Sequence, residues 1–203
     1  MKKKGRPRRY DSDIAINHIT ELFWRKGYTA TSMDDLVLTT EMNKPSLYSA
    51  FGNKFAMYEK AIEHFSKIAG TRYSEALNKQ NDNDDISQRL LRYFLVGIEL
   101  YTGKHGQLGC MILSTASAEV DIPEVQQHLA NVIKAQINQV ALAITQALID
   151  GELKENCDID LTAQLITAIL HSISLRARAG ETEANLFAVA QGAIDMLIKP
   201  LTI

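Results

Sequence analysis

Apolar residues recur along most of this chain at intervals of three and four, the period of a helix with one buried face. Ala15, Ile19, Leu22 and Phe23 follow i, i+4, i+7, i+8. Asp11, Ser12 and Asp13 precede them, where acidic and capping side chains satisfy free N–H groups. Gly27 is the stop signal. Thr31 opens a second, short helix, with Asp34 three residues on as the partner of a capping box and Leu36 and Val37 on its inner face. A turn at Glu41 and Met42 leads into a third helix from about Asn43. Pro45 falls in its first turn, where no helical hydrogen bond is lost. Leu47, Tyr48 and Phe51 keep the spacing, Gly52 ends the helix, and Asn53 caps a fourth with Lys54 in its first turn. Three helices therefore fit between Asp11 and Gly52.

The remainder predicts longer helices. Asp84 and Asp85 precede one carrying Leu91, Phe94, Leu95 and Ile98. Gly103 to Gly109 reads as a loop. Asp121 caps a helix with Pro123 and Glu124 in its first turn, and Val125, Leu129, Val132, Ile133, Val140 and Ile144 keep its period up to Gly151. Asp158 and Asp160 start the next, which runs to Gly180, and Thr182 starts the last. Only Pro7, Pro45, Pro123 and Pro200 interrupt the pattern, and no alternating β-branched run occurs, so the expected class is all-α.

The 203 residues fit one compact unit or two small ones, and a chain of this size folds without a disulfide or metal. With 46% hydrophobic and 23% charged residues it reads as globular, not disordered. Its two cysteines, Cys110 and Cys157, exclude a disulfide scaffold and a four-cysteine zinc site, and suit the reducing cytoplasm. The basic N-terminus leads into Asp11 and Asp13 without an apolar core, so no signal peptide is expected. No run of 18 apolar residues occurs, so no membrane span or membrane partner is expected.

The net charge of −2 hides an asymmetry. Residues 1–60 carry 11 Lys/Arg against 7 Asp/Glu, a net +4, and residues 61–203 carry 11 against 17, a net −6. A basic N-terminal piece on an acidic body is the footprint of one part that meets phosphate and another that does not. Lys2, Lys3, Lys4, Arg6, Arg8 and Arg9 form an arm that fits a DNA backbone or minor groove, and equally a solvated tail.

Two short helices joined by a tight turn make a helix-turn-helix candidate. The second would present Lys44, Ser46 and Ser49 to base edges, with Tyr48 beside a phosphate or a thymine methyl. Thr31, Ser32 and Lys54 stand at helix N-termini, where anions are favoured. The run from Phe23-Trp24 through Gly27-Tyr28 and Thr31-Ser32-Met33, followed by Lys44-Pro45-Ser46-Leu47-Tyr48 and then Phe51 and Lys54, resembles the DNA-binding signature of the tetracycline-repressor (TetR) family. The resemblance implies an all-helical homodimer with an N-terminal helix-turn-helix domain and a C-terminal ligand and dimerisation domain. On this chain that gives an arm over 1–10, a DNA-binding domain over 11–58 and a helical body over 59–203. It also implies that Thr31 and Lys54 hold phosphates, that Lys44, Pro45, Ser46 and Ser49 face the groove, and that Tyr48 packs and touches the backbone. One position departs from the family pattern: Glu41 stands where a turn glycine is usual, and if left-handed it costs roughly 1 kcal/mol against Gly.

Residues 161–175 and 184–194 carry no Asp, Glu, Lys or Arg. Two consecutive helices without a charged face suggest burial on more than one side, as in half of a four-helix dimer interface or in a central core helix. Leu165, Ile169, Ile173, Phe187 and Ile194 are the candidate interface residues. A two-fold dimer sets two recognition helices about 34 Å apart, one turn of a palindromic operator.

Cys110 follows a Gly-rich loop near a helix start, where a lowered pKa would make a reactive thiolate; the alternative is a small buried hydrophobe. His105 and His171 are candidate ligand-pocket residues, His171 equally a hydrogen-bonded interface histidine. No His-Glu-x-x-His, Cys-x-x-Cys, nucleophile elbow or phosphate loop occurs, so no metal, cofactor or enzymatic activity is expected. The expected function is a DNA-binding transcriptional regulator, a repressor released from its operator by a small-molecule effector. Alternatives are an electrophile- or redox-responsive regulator acting through Cys110 and a helical adaptor with a basic arm.

Overall fold

The computed structural model describes residues 11–103, 107–116 and 122–203. They form α1 (Ser12–Lys26), α2 (Met33–Thr40), α3 (Lys44–Phe51), α4 (Lys54–Leu77), α5 (Ile86–Thr102), α6 (Met111–Ala116), α7 (Pro123–Ile149), α8 (Ile159–Arg178) and α9 (Glu183–Ala193). A π-helical turn over Ile194–Ile198 and a 3-10 turn over Lys199–Leu201 close the chain. Among the described residues the one extended pairing is an isolated antiparallel bridge between Leu153 and Thr202. The architecture is all-α, as the periodicity predicts.

Side-chain caps set most of the helix starts. Asp11 accepts from the Asp13 and Ile14 N–H groups, Asn43 from Ser46, Asp158 from Leu161 and Thr182 from Asn185. At α5 the cap is Asp85, in a reciprocal box with Gln88, while Asp84 turns inward to Arg92 at 2.6 and 2.7 Å. The second helix starts one residue later than its pattern predicts: Ser32 is the cap and Asp35, not Asp34, closes the box. Thr31 is drawn away because its hydroxyl donates to the Gly27 carbonyl at 2.6 Å and is buried. At α7, Ile122 stands at the cap position without a side-chain bond; the expected cap, Asp121, lies outside the described residues.

The chain divides into two compact units, the first ending at Phe65 and the second beginning at Ser66, within α4. In the first unit Ile19, Phe23, Leu36, Leu47, Met57 and Tyr58 are fully buried. Phe23 meets Tyr58 edge-on at 5.2 Å between ring centroids, and Trp24 meets Phe65 at 4.9 Å. Ala61, Ile62 and Phe65 of α4 are buried in this unit as well.

In the second unit α8 packs against α5, α7 and α9. It buries Ile166, Leu170, Ile173 and Ala177 inside the protomer. Ile173 and Ile194 are 0% and 1% exposed, so they have no surface to offer a partner and are corrected from interface to core residues. Tyr73, Tyr93 and Tyr101 fill the interior around Cys110, with the Tyr73 hydroxyl donating to that of Tyr101 at 2.9 Å. Against expectation, α7 is long and apolar enough by composition to cross a bilayer; here it lies along α8, with Val125, Val140, Ile144 and Ala147 buried.

Candidate nucleic-acid interface

The α2–α3 turn is built from short-range bonds. The Thr40 hydroxyl donates to the Leu36 carbonyl at 2.6 Å and accepts from the Met42 N–H at 3.3 Å. Glu41 takes the left-handed conformation, φ 55° and ψ 20°, at the position where a glycine was expected. Met42 is buried beneath the turn, and Asn43 then caps α3 with Pro45 in its first turn.

Helical spacing does the rest. Leu47 and Phe51, one turn apart, are buried and anchor α3. Lys44, Pro45, Tyr48 and Ser49 consequently share the outward face; all four are exposed, and Ser46 is half-buried. An apolar inner face thus carries a polar, basic outer one of a kind that reads a major groove.

Lys54 stands at the start of α4. Asn53 caps that helix by accepting from the Ala56 N–H at 2.8 Å. The Lys54 ammonium lies 4.4 Å from the Tyr28 ring centroid. Tyr28 is itself fixed against Phe55 at 5.9 Å and Tyr58 at 5.2 Å, so the cation sits on a rigid aromatic platform beside a helix N-terminus. That combination suits a phosphate oxygen.

Thr31 does not suit one. Its hydroxyl is buried and committed to Gly27, so a side-chain phosphate contact from Thr31 is corrected to a structural bond. Ser32 is exposed, but its hydroxyl donates to Asp35 at 2.9 Å and accepts the Asp35 N–H at 3.1 Å. The Asp35 carboxylate also takes the Lys26 ammonium at 2.7 Å; that bond, then the Ser32 N–H, hold its pKa down to about 2. The structure adds a residue that sequence reasoning missed. Asp34, in the first turn of α2, pairs with Lys44 at 2.7 Å, and this raises the pKa of the lysine. No periodic signal links positions 34 and 44; only the turn brings them together.

Of the candidate sensing residues, Cys110 and His171 are described. Cys110 is buried, and burial pushes its thiol up in pKa; the Leu113 and Ile112 N–H groups and the Tyr101 hydroxyl pull it down by less. Of the two readings of Cys110, burial favours the small buried hydrophobe over the reactive thiolate. His171 is half-buried, hydrogen-bonded through Nε2 to Gln136 Oε1 at 2.9 Å, and lowered in pKa by burial. His105 lies outside the described residues, as does the arm. Neither Cys110 nor His171 lines either of two cavities in the second unit, about 520 and 280 Å³.

Residues 16–61 match the model described as bacterial regulatory proteins, tetR family, and residues 87–193 match a tetracyclin repressor-like C-terminal domain, which alone covers more than half of the chain. The chain belongs to the TetR family. It is a helix-turn-helix transcriptional regulator of a non-enzymatic family. It is similar to the transcriptional repressor ComR of Escherichia coli, 27% identical over 190 residues, which span 93% of this chain and 90% of ComR. It is also similar to the repressor BdcR of Escherichia coli, 29% identical over 109 residues, or 54% of each chain. A cysteine-substituted TetR family regulator, CifR, solved with 26-bp operator DNA, shares the fold with a TM-score of 0.85 at 24% identity, covering 95% of this chain and 100% of that one.

Proposed function

We propose that this TetR family member is a homodimeric repressor that binds a palindromic operator and is released by a small-molecule effector. The observation that carries the reading is the outward face of α3, where Lys44, Pro45, Tyr48 and Ser49 stand exposed over a buried Leu47–Phe51 anchor. Lys54 on its Tyr28 platform supplies a phosphate contact at one side of that face. The repressor activity named for ComR supports the sign of regulation. Its place of action is the cytoplasm, with the chromosome.

The dimer reading rests on α8 and α9. Leu165 and Phe187 are each 41% exposed, Ile169 is half-buried, and Leu161 and Leu175 extend the apolar face of α8. Two-fold pairing of these faces buries them and spaces two recognition helices by about 34 Å. Effector release is then a population shift: a ligand weakens operator binding only by its differential affinity for the two states.

The test is a titration against duplex from upstream of the gene itself, with nonspecific competitor, at several salt concentrations. Selective binding at two protomers per site, falling steeply with salt, is the expected result. Salt-dependent binding with no sequence preference across genomic fragments would favour the adaptor reading. Identical operator affinity with and without every effector tried would sink the release mechanism alone.

A further inference from the structure

One large apolar side chain of the first unit stands almost wholly in water. Leu38 of α2 is 80% exposed, more than any other large apolar residue described in that unit. The packing of α2 does not call for a leucine there, because Leu36 is the residue that this helix buries. Leu38 lies one helical turn beyond Asp34, so the two share the exposed face of α2.

Asp34 fixes where that face lies. Its carboxylate meets the Lys44 ammonium, from the first turn of α3, at 2.7 Å. Leu38 therefore belongs to the surface that borders the N-terminal end of α3, beside the outward face formed by Lys44, Pro45, Tyr48 and Ser49. The border does not suit a phosphate, since Asp34 and Glu41 are both acidic and both exposed. It suits an uncharged part of a duplex. Of the groups that a duplex displays in its major groove, the thymine C5-methyl is the apolar one.

We propose that Leu38 is a specificity residue that packs on a thymine methyl beside the base pair met by Lys44. The inference rests on the reading of α3 as the helix that enters the major groove. Cytosine carries no methyl at that place, so the contact favours T·A over C·G and adds nothing to phosphate binding. The leucine surface that is idle in the free protein is the surface removed from water in the complex.

The test uses the full chain and the operator selected by the titration above. Each thymine of one half-site is exchanged in turn for deoxyuridine, which pairs identically but lacks the methyl. With the unaltered chain, one exchange should weaken binding about fourfold, the worth of one buried carbon. Leu38→Ala removes the contact from both protomers. It should weaken operator binding by about tenfold, leave scrambled duplex unchanged, and lose no further affinity on that exchange. Leu38 is exposed and alanine is the stronger helix former, so the variant should keep its fold, which circular dichroism checks.

Unchanged operator affinity in Leu38→Ala would overturn the contact. So would equal weakening on operator and scrambled duplex, or losses that add to those of every deoxyuridine exchange. A methyl response that persists in Leu38→Ala but vanishes in Tyr48→Ala would assign the methyl to Tyr48 and overturn it equally. Failure of the unaltered chain to select any duplex would overturn the reading of α3 and this inference together. Selective binding without the coupling would overturn this inference alone.

Discussion

In the first unit every helix start is tied by a side chain within three residues: Asp11 to Ile14, Ser32 to Asp35, Asn43 to Ser46 and Asn53 to Ala56. The first unit's long tie between His64 Nε2 and Asn17 Oδ1, 2.7 Å, is exposed, whereas the second unit has local caps too but sets long ties in buried and part-buried positions. Glu152 receives the N–H of Ile86 and the guanidinium of Arg89, and the Cys110 N–H donates to Ser174 Oγ at 2.8 Å. The difference follows from what each unit has to do. A DNA-reading face must keep its geometry, and short-range caps hold it whatever else changes. On the proposed release by an effector, the second unit needs elements joined by a few specific contacts that can be exchanged at moderate cost.

The largest expected effect breaks one long-range tie. Glu152→Ala leaves Arg89 buried without its carboxylate, a class of change that costs about 3–5 kcal/mol. Because Glu152 keeps 14% side-chain exposure, the lower end of that range is expected. Urea unfolding followed by far-ultraviolet circular dichroism, to which the long helices α5, α7 and α8 of the second unit contribute most, should show a reduced midpoint. Fluorescence of Trp24, the single tryptophan and a member of the first unit, should report a smaller shift if the contrast between the units is real. Equal shifts at both probes would mean that the two units unfold as one.

The next test lies within the DNA-binding unit. Lys44→Ala should change sequence preference, reducing discrimination at one operator position by about tenfold. Lys54→Ala should weaken all duplexes alike and lower the salt slope by about one. Binding isotherms on operator and scrambled duplex at three salt concentrations separate the two. Uniform weakening by Lys44→Ala would remove it from base readout, and an unchanged salt slope for Lys54→Ala would remove its phosphate contact.

The contrast in reach also explains what could be read from the sequence. Asp11, Asn43, Gly52 and Asn53 act on neighbours, so the ends of α1 and α3 and the start of α4 were legible. The outward face of α3 followed from Leu47 and Phe51 by helical spacing alone. Thr31 and Ser32 are both capable caps, and only the inward bond from Thr31 to Gly27 decides between them. In the body, periodicity marked the helices but not their inner faces. Leu95 was expected inside and is 39% exposed, while Tyr93 and Tyr101, which the apolar pattern did not include, fill the core. Gly97 permits this: a Cβ there would stand 2.4 Å from Leu170 and 3.3 Å from the Tyr73 hydroxyl. The uncharged run of α8 carried two meanings at once, because one side packs inside the protomer and Leu165 remains outside. Asp34 with Lys44, and Arg89 with Glu152, are juxtapositions that exist only after folding.

A smaller effect should sharpen the first unit further. Glu41 is the one described non-glycine residue with positive φ. Glu41→Gly removes the left-handed penalty and should stabilise the chain by up to about 1 kcal/mol, visible as a higher urea midpoint in the Trp24 signal. No gain would mean that the penalty is already offset at the turn.

The smallest expected effect concerns Asp34, whose tie to Lys44 does not serve a cap. Its pair with Lys44 is exposed on both sides, 51% for the lysine and 82% for the aspartate, so it is weak and screened by salt. Yet it places a negative charge beside the helix that must approach a polyanion. Asp34→Asn should therefore raise affinity for every duplex by about two- to fivefold at low salt, with the gain vanishing as salt rises. It also removes an acid from the first turn of α2, where the helix dipole favours one, so stability should fall slightly as affinity rises. If Asp34→Asn instead lowers affinity for operator but not for scrambled duplex, the aspartate is holding the Lys44 ammonium in its reading position, and a tie that resembles simple charge neutralisation is part of the recognition surface itself.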